Sequence, residues 1–124
     1  MLTSREQARA LVLSHLNPDP MMEQLHTEWT VIDPDTIETK FGWLFHTDSR
    51  IYGETGNSHY RIVGSYGHIV ERKTGHIAGV APIVSRRYCM RVYEYTRTHS
   101  PVSGLLAVWY CVLDSILPEL FHQW

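Results

Sequence analysis

The chain has 124 residues, 44% of them apolar and 19% charged, with a formal net charge of -2. That length suits one domain able to bury about two thirds of its unfolded surface without outside staples. A balance so close to neutral gives no overall pull toward nucleic acid or an anionic membrane. The charge is unevenly placed, however. Residues 18–60 carry eight acids (Asp19, Glu23, Glu28, Asp33, Asp35, Glu38, Asp48 and Glu54) against Lys40 and Arg50. Residues 61–98 carry seven bases against Glu71 and Glu94. Two such segments either attract each other on folding or leave an acidic face that steers a basic partner.

The opening Met1-Leu2-Thr3-Ser4-Arg5-Glu6 lacks the charged-then-apolar layout of a secretory signal. The two cysteines, Cys89 and Cys111, make no disulfide framework, so a reducing, cytoplasmic setting is expected. Thr3 and Glu6 have capping-box spacing, and Ala8, Leu11, Val12 and Leu16 follow at helical intervals. This predicts one amphipathic helix over 4–16. Replacing Thr3 by alanine is expected to cost about 1 kcal/mol of cap energy. Asn17-Pro18-Asp19-Pro20 ends the helix, because each proline disfavours helix in the residue before it.

From His26 to Val80 the pattern turns to strands. Trp29 and Val31 alternate, Pro34-Asp35 supplies a turn before Ile37, and Phe41 to Phe45 is apolar apart from Gly42. Such density predicts a central strand covered on both faces. Alternation puts Phe41, Trp43 and Phe45 on one side, a face too aromatic for water, which the first helix is expected to cover. Ile51 to Tyr60, with Gly53, Gly56 and Asn57, reads as an irregular loop. Tyr60 to Val63 reads as a short strand stopped by Gly64-Ser65-Tyr66-Gly67. Two further strands flank Lys73-Thr74-Gly75, where glycine can take the positive φ of a hairpin turn.

Pro82 suits the first position of a helix, in which Val84, Tyr88, Val92 and Tyr95 repeat at helical spacing. Ser100-Pro101 breaks the chain again before Val102 to Leu117, a stretch apolar on nearly every side, the mark of a buried or partnered helix. Its longest apolar run is broken by Asp114 and is too short to span a bilayer. The fold class is therefore α+β in a single domain: an N-terminal helix, an antiparallel sheet of four to five strands and C-terminal helices.

Catalytic and cofactor motifs are scarce. Eight histidines show no i, i+4 pairing and no Cys-x-x-Cys partner of the kind a zinc site displays. With Glu71 opposite His76, the rings of His68 and His76 point to opposite sheet faces. A register one residue away puts them on one face roughly 7 or 13 Å apart, without an obvious third ligand. Gly64-Ser65-Tyr66-Gly67 is not a nucleophile elbow, and both cysteines fall in apolar helical context, where cysteine acts as a small hydrophobe. No phosphate-binding glycine motif is present. Arg86, Arg87 and Arg91, interleaved by Tyr88 alone, read as a solvated helix face rather than a nucleic-acid surface. No enzymatic activity, metal or cofactor is expected.

Phe41-Gly42-Trp43-Leu44-Phe45, the following Tyr52, Gly64 after a short strand, and Ile69-Val70 leading to Thr74-Gly75-His76-Ile77 resemble the immunity protein 35 family, small bacterial proteins associated with polymorphic toxin systems. The similarity covers about residues 28–80 plus a like-capped first helix. Gly53 stands where that pattern usually has a bulky apolar residue, and Gly64-Ser65-Tyr66-Gly67 replaces an expected Gly-Asn-x-Pro. The resemblance implies a protein that binds a co-encoded toxin and occludes or locks its active site. Phe41, Gly42, Trp43, Phe45, Gly64, Thr74 and Gly75 are then structural. Tight inhibition asks for aromatic or arginine anchors ringed by polar contacts, which makes Asp33, Asp35, Glu38, Asp48 and Glu54, with Tyr52 or Tyr66, the candidate toxin contacts. Charge reversal at Asp33, Asp35 and Glu38 is expected to slow association without unfolding the chain. The alternative is a chaperone-like or structural interaction module, dimeric through residues 102–117.

Overall fold

The first helix, α1 (Arg5–Leu16), begins one residue later than the Thr3 box requires. Ser4 is its N-cap: the Ser4 hydroxyl accepts from the Gln7 N–H, and the Gln7 side chain accepts from the Ser4 N–H, both at 3.2 Å. The sequence offers two overlapping boxes, Thr3 with Glu6 and Ser4 with Gln7, of equal chemistry. Upstream of the cap, the Leu2 N–H donates to the Arg72 carbonyl at 2.8 Å. Glu6 is left in the first turn, where the helix dipole favours it. This computed structural model describes residues 2, 4–62, 67–80 and 85–99.

Asn17 ends α1 in extended backbone and turns its amide onto Trp29, accepting from the Trp29 N–H and donating to the Trp29 carbonyl, both at 3.1 Å. A short helix the sequence reading did not place follows, α2 (Pro20–Gln24). Asp19 caps it through the Met21 N–H at 2.9 Å, and Pro20 supplies the pre-set φ of a first turn. The second oxygen of Asp19 accepts the Trp29 indole N–H at 2.8 Å. That bond, with the cap, holds the Asp19 carboxyl below its ordinary range.

Among the described residues six strands form two antiparallel sheets. Strand β1 (Trp29–Val31) pairs with β4 (Thr47–Ser49). Strands β2 (Ile37–Glu38), β3 (Gly42–Phe45), β5 (His68–Glu71) and β6 (Ile77–Gly79) lie side by side in that order. The α+β class holds, with the sheet divided in two: the chain leaves β3 through His46 and enters the other sheet as β4. Strand β3 is central and buried at every residue, as its apolar run requires. Gly42 is needed there, because a Cβ would lie 2.1 Å from the Val70 carbonyl oxygen. At the β5–β6 hairpin Gly75 takes φ of 74°, and the Glu71 N–H donates to the His76 carbonyl, which is the register with the two imidazoles on opposite faces.

Each face of β3 has its own core. On one side Trp43, Phe45 and Val70 meet Ala8 and Val12 of α1 and Val31 of β1; on the other Leu44 and Ile69 meet Cys89, Met90 and Tyr93 of α4 (Arg86–His99). Helix α1 therefore covers Trp43 and Phe45 as expected, but not Phe41. That ring packs on the opposite side, edge-on to Tyr93 at 5.9 Å, because it precedes the strand and escapes its alternation. Trp43 has no exposed surface, and the Arg72 guanidinium lies 4.1 Å from the centre of its ring.

Three segments depart from the sequence reading. Residues expected as a loop form α3 (Arg50–Thr55), capped by Ser49 and closed by Gly56 at φ 69°, and then a 3-10 turn over Ser58–Tyr60. Gly53 belongs in that helix because α3 packs close on β1: a Cβ would approach Thr30 and Ile32 side chains at 3.1 and 3.2 Å. The strand expected from Tyr60 is absent over Tyr60–Ile62, where the chain ties to the Asp48 side chain instead. In α4 the inward residues are Cys89, Met90, Val92, Tyr93 and Thr96, while Tyr95 is 48% exposed. Helix α4 begins at Arg86. Gly64, Tyr66, Pro82, Val84, Cys111 and the apolar stretch 102–117 lie outside the described residues.

Glu71, at the end of β5, is 3% exposed. Burial pushes its carboxyl up, but Arg97 at 2.6 and 3.2 Å and the Thr74 hydroxyl at 2.5 Å outweigh that and bring it below its ordinary value. Thr74 thus locks the hairpin turn to the helix α4 clamp. His68 bonds the Thr47 hydroxyl at 2.8 Å between the two sheets, and burial, with a smaller push from His15, lowers its imidazole to about 4.

Truncating Trp43→Ala is expected to lower stability by about 3 to 5 kcal/mol, read from chemical denaturation; an unchanged midpoint would remove Trp43 from the core. The His68 shift sets a pH dependence. Between about 4 and 6.5 the unfolded imidazole binds a proton that the folded one refuses. Stability therefore rises with pH across that window and is complete above it. Urea midpoints across the window should climb in the wild type and climb less in His68→Gln.

Candidate protein-binding face

Strand β4 is the polar element of the interior: Thr47, Asp48 and Ser49 are all buried. One Asp48 oxygen accepts from the Ser49 N–H at 2.7 Å and from the Ile62 N–H at 2.8 Å. Its other oxygen lies 3.7 Å from Arg61 Nε and 3.9 Å from His46 Nε2. The Ser49 hydroxyl accepts the Tyr52 N–H at the start of α3 and donates to the Tyr60 carbonyl at 2.7 Å. Two adjacent side chains thus set the position of α3 and of residues 60–62 together.

This overturns part of the expected contact set. Asp48 has no exposed surface and cannot touch a partner. Tyr52 is half-buried, tilted against His46 and beneath the Arg61 guanidinium at 5.5 Å. Three of the remaining acids are committed to bases. Asp33 pairs with Arg9 at 2.9 Å, Asp35 with His46 at 2.7 Å and Arg86 at 3.6 Å, and Glu38 with Arg72 at 3.0 Å. The Arg72 hydrogen bond holds the Glu38 carboxyl below its ordinary value. Charge reversal at these three would break internal pairs, so it no longer isolates a partner contact.

Glu54 keeps its place as an exposed acid, and two others join it. Glu23, Glu28 and Glu54 take no ion pair among the described residues. Glu23, Glu28 and Arg50 surround one depression, and Arg50 and Glu54 share the next. Beside them lies a groove of about 290 Å³ walled by Leu25, Ile51, Tyr60 and Ile62 with Arg61 and His59 at its mouth. Leu25 is 53% exposed and Tyr60 43%, and Met21 on α2 adds a further exposed apolar side chain. Apolar residues facing water together, rimmed by polar ones, mark an interaction surface.

The sequence reading missed Leu25 and Tyr60 as contacts, and with Leu25 the short helix α2 that it ends. The available signal was Asp19-Pro20, an N-cap followed by a first-turn proline, with Met21 and Leu25 four residues apart.

Among the described residues no helix is long and apolar enough to cross a membrane, and no group of three or more His, Cys, Asp or Glu is placed to hold a metal ion. Comparison of the chain with family models, with curated proteins and with solved structures gives no significant match.

Replacing Asp48→Ala should cost roughly 2 to 4 kcal/mol, since two backbone N–H groups lose their acceptor. Amide hydrogen exchange should show protection lost at Ile62 and Ser49 before the rest of the sheet. Uniform loss of protection would mean that Asp48 does not organise this face in particular.

Proposed function

We propose that this chain is an immunity protein acting in the cytoplasm, neutralising a co-encoded bacterial toxin by covering its active site or holding it inactive. The observation that carries the reading is the α2–α3 face. Among the described residues Glu23, Glu28 and Glu54 take no ion pair and lie beside exposed Leu25 and Tyr60, while four other acids of the same segment are tied to bases within the fold. A free acidic rim steers a basic partner and rejects acidic ones, and an aromatic anchor in an apolar groove supplies the residence time.

The strand and hairpin motifs point the same way. Their similarity to the immunity protein 35 pattern rests on residues with clear structural work in this fold, Gly42, Trp43, Phe45, Thr74 and Gly75. Neutralisation by occlusion asks for contact area and charge match rather than for a reacting group.

Co-expression with the protein encoded immediately upstream tests the proposal. The expected result is growth restored in cells making that protein, together with a complex that survives affinity capture of this chain. Absence of both rescue and complex would overturn it.

A further inference from the structure

Resting on the immunity reading, we infer that the groove between Leu25 and Tyr60 takes a cationic segment of the partner, one that inserts a single apolar side chain flanked by lysine or arginine. The argument starts from what covering the groove entails. Its walls are Leu25, Ile51, Ile62 and the Tyr60 ring, and the depression holding Glu23 and Glu28 adjoins it at Thr27. A segment that fills the groove and runs on over Thr27 also takes water from those two carboxylates. A neutral or acidic segment would leave them dehydrated and unpaired, which is strongly unfavourable. A segment with cations beside its apolar tip pairs them as it seats.

The local bases do not remove this demand. Arg61 is committed to Asp48 and to the Tyr52 ring. Arg50 and His26 line the depression of Glu23 and Glu28, and Arg50 and Arg9 line that of Glu54, where Arg9 is paired with Asp33. Asp19, beside Glu23 and Glu28, adds a further carboxyl held below its ordinary range by the Trp29 indole. The face is therefore acidic around an apolar centre, the complement of a basic segment with an apolar tip. Its floor is fixed in advance, because Ser49 holds Tyr60 and Asp48 holds Ile62 from below.

The probe is a heptapeptide of alternating lysine and arginine with one central leucine, titrated into the full chain and followed by backbone amide resonances. Saturable movement should appear at Glu23, Leu25, Thr27, Glu28 and Tyr60. Changing the peptide's leucine to serine should weaken binding roughly tenfold. Glu23→Gln with Glu28→Gln should weaken it and reduce its dependence on salt. Leu25→Ser should abolish the leucine preference, with an unchanged thermal midpoint because Leu25 is more than half exposed. Equal binding of a glutamate-flanked peptide, movement centred elsewhere, or no saturable movement would each overturn the inference.

A second arm keeps this separate from the immunity reading. If the wild-type chain rescues cells from the upstream protein and a Leu25→Ser, Glu23→Lys, Glu28→Lys variant rescues equally well, the groove is not the contact and the immunity reading stands. If the wild type neither rescues nor forms the complex, the immunity reading falls, and the peptide titration alone decides what the groove binds.

Discussion

Asp48 is a carboxylate with no exposed surface, and the arrangement of the α2–α3 face rests on how it is satisfied. Burial of an isolated charge is prohibitive, so the surrounding backbone is drawn in to supply donors. The N–H groups of Ser49 and Ile62 converge on one oxygen, and Arg61 and His46 stand near the other. The consequence is geometric. Residues 60–62 cannot pair as a strand and also serve Asp48, so they follow a 3-10 turn with an unpaired extension. Ser49, the next residue, caps α3 and pins the Tyr60 carbonyl. One buried acid and its neighbour therefore place the groove floor, the helix beside it and the ring above it.

The rest of the acid segment is handled differently. Asp33, Asp35 and Glu38 sit near the surface and meet Arg9, Arg86 and Arg72, bases drawn from α1, α4 and the β5–β6 hairpin. Exposed pairs of this kind contribute about 0 to 1 kcal/mol each. Their larger effect is on placement, since each joins the β1–β3 region to a different element. Arg72 does more than its partner Glu38 suggests: it also donates to the Thr39 carbonyl and lies over the Trp43 ring. Asp35, Glu38 and Asp48 of the acidic segment thus meet Arg86, Arg72 and Arg61 of the basic one and help hold the two together. What remains at Glu23, Glu28 and Glu54 is the part that folding does not use.

The legible parts of the fold were those written in apolar periodicity and turn chemistry. Helix α1, strand β3 and the β5–β6 hairpin carry Ala8, Val12, Trp43, Phe45 and Thr74-Gly75 at the spacings their geometry demands, and local pattern agreed with burial. Strand β4 was hidden because Thr47-Asp48-Ser49 has no apolar residue to report its burial, which the Ser49 and Ile62 N–H groups on Asp48 and the His68 imidazole on Thr47 make tolerable. Helix α2 is five residues long, too short for periodicity to speak. Helix α3 contains Gly53, which reads as a breaker until one sees how closely β1 lies beneath it. The pairing of the candidate acids was illegible for a related reason. Acidity is visible in sequence, whereas pairing with Arg9 or Arg72, 24 and 34 residues away, is not.

That difference between charge present and charge free also explains why a binding face can be argued here from a chain of near-neutral net charge. A partner senses the field that survives internal pairing, within a screening distance of about 8 to 10 Å at ordinary salt. On the α2–α3 side the surviving charge is acidic and adjoins apolar surface that the fold leaves in water. For the proposed basic segment, steering and desolvation would act at the same place: long-range attraction would bring it to Leu25 and Tyr60, and a misplaced segment would lose both. Asp48 and Ser49 hold Ile62 and Tyr60 from inside, so ordering that spot for such a segment would demand little further entropy, which would favour slow release over merely fast capture.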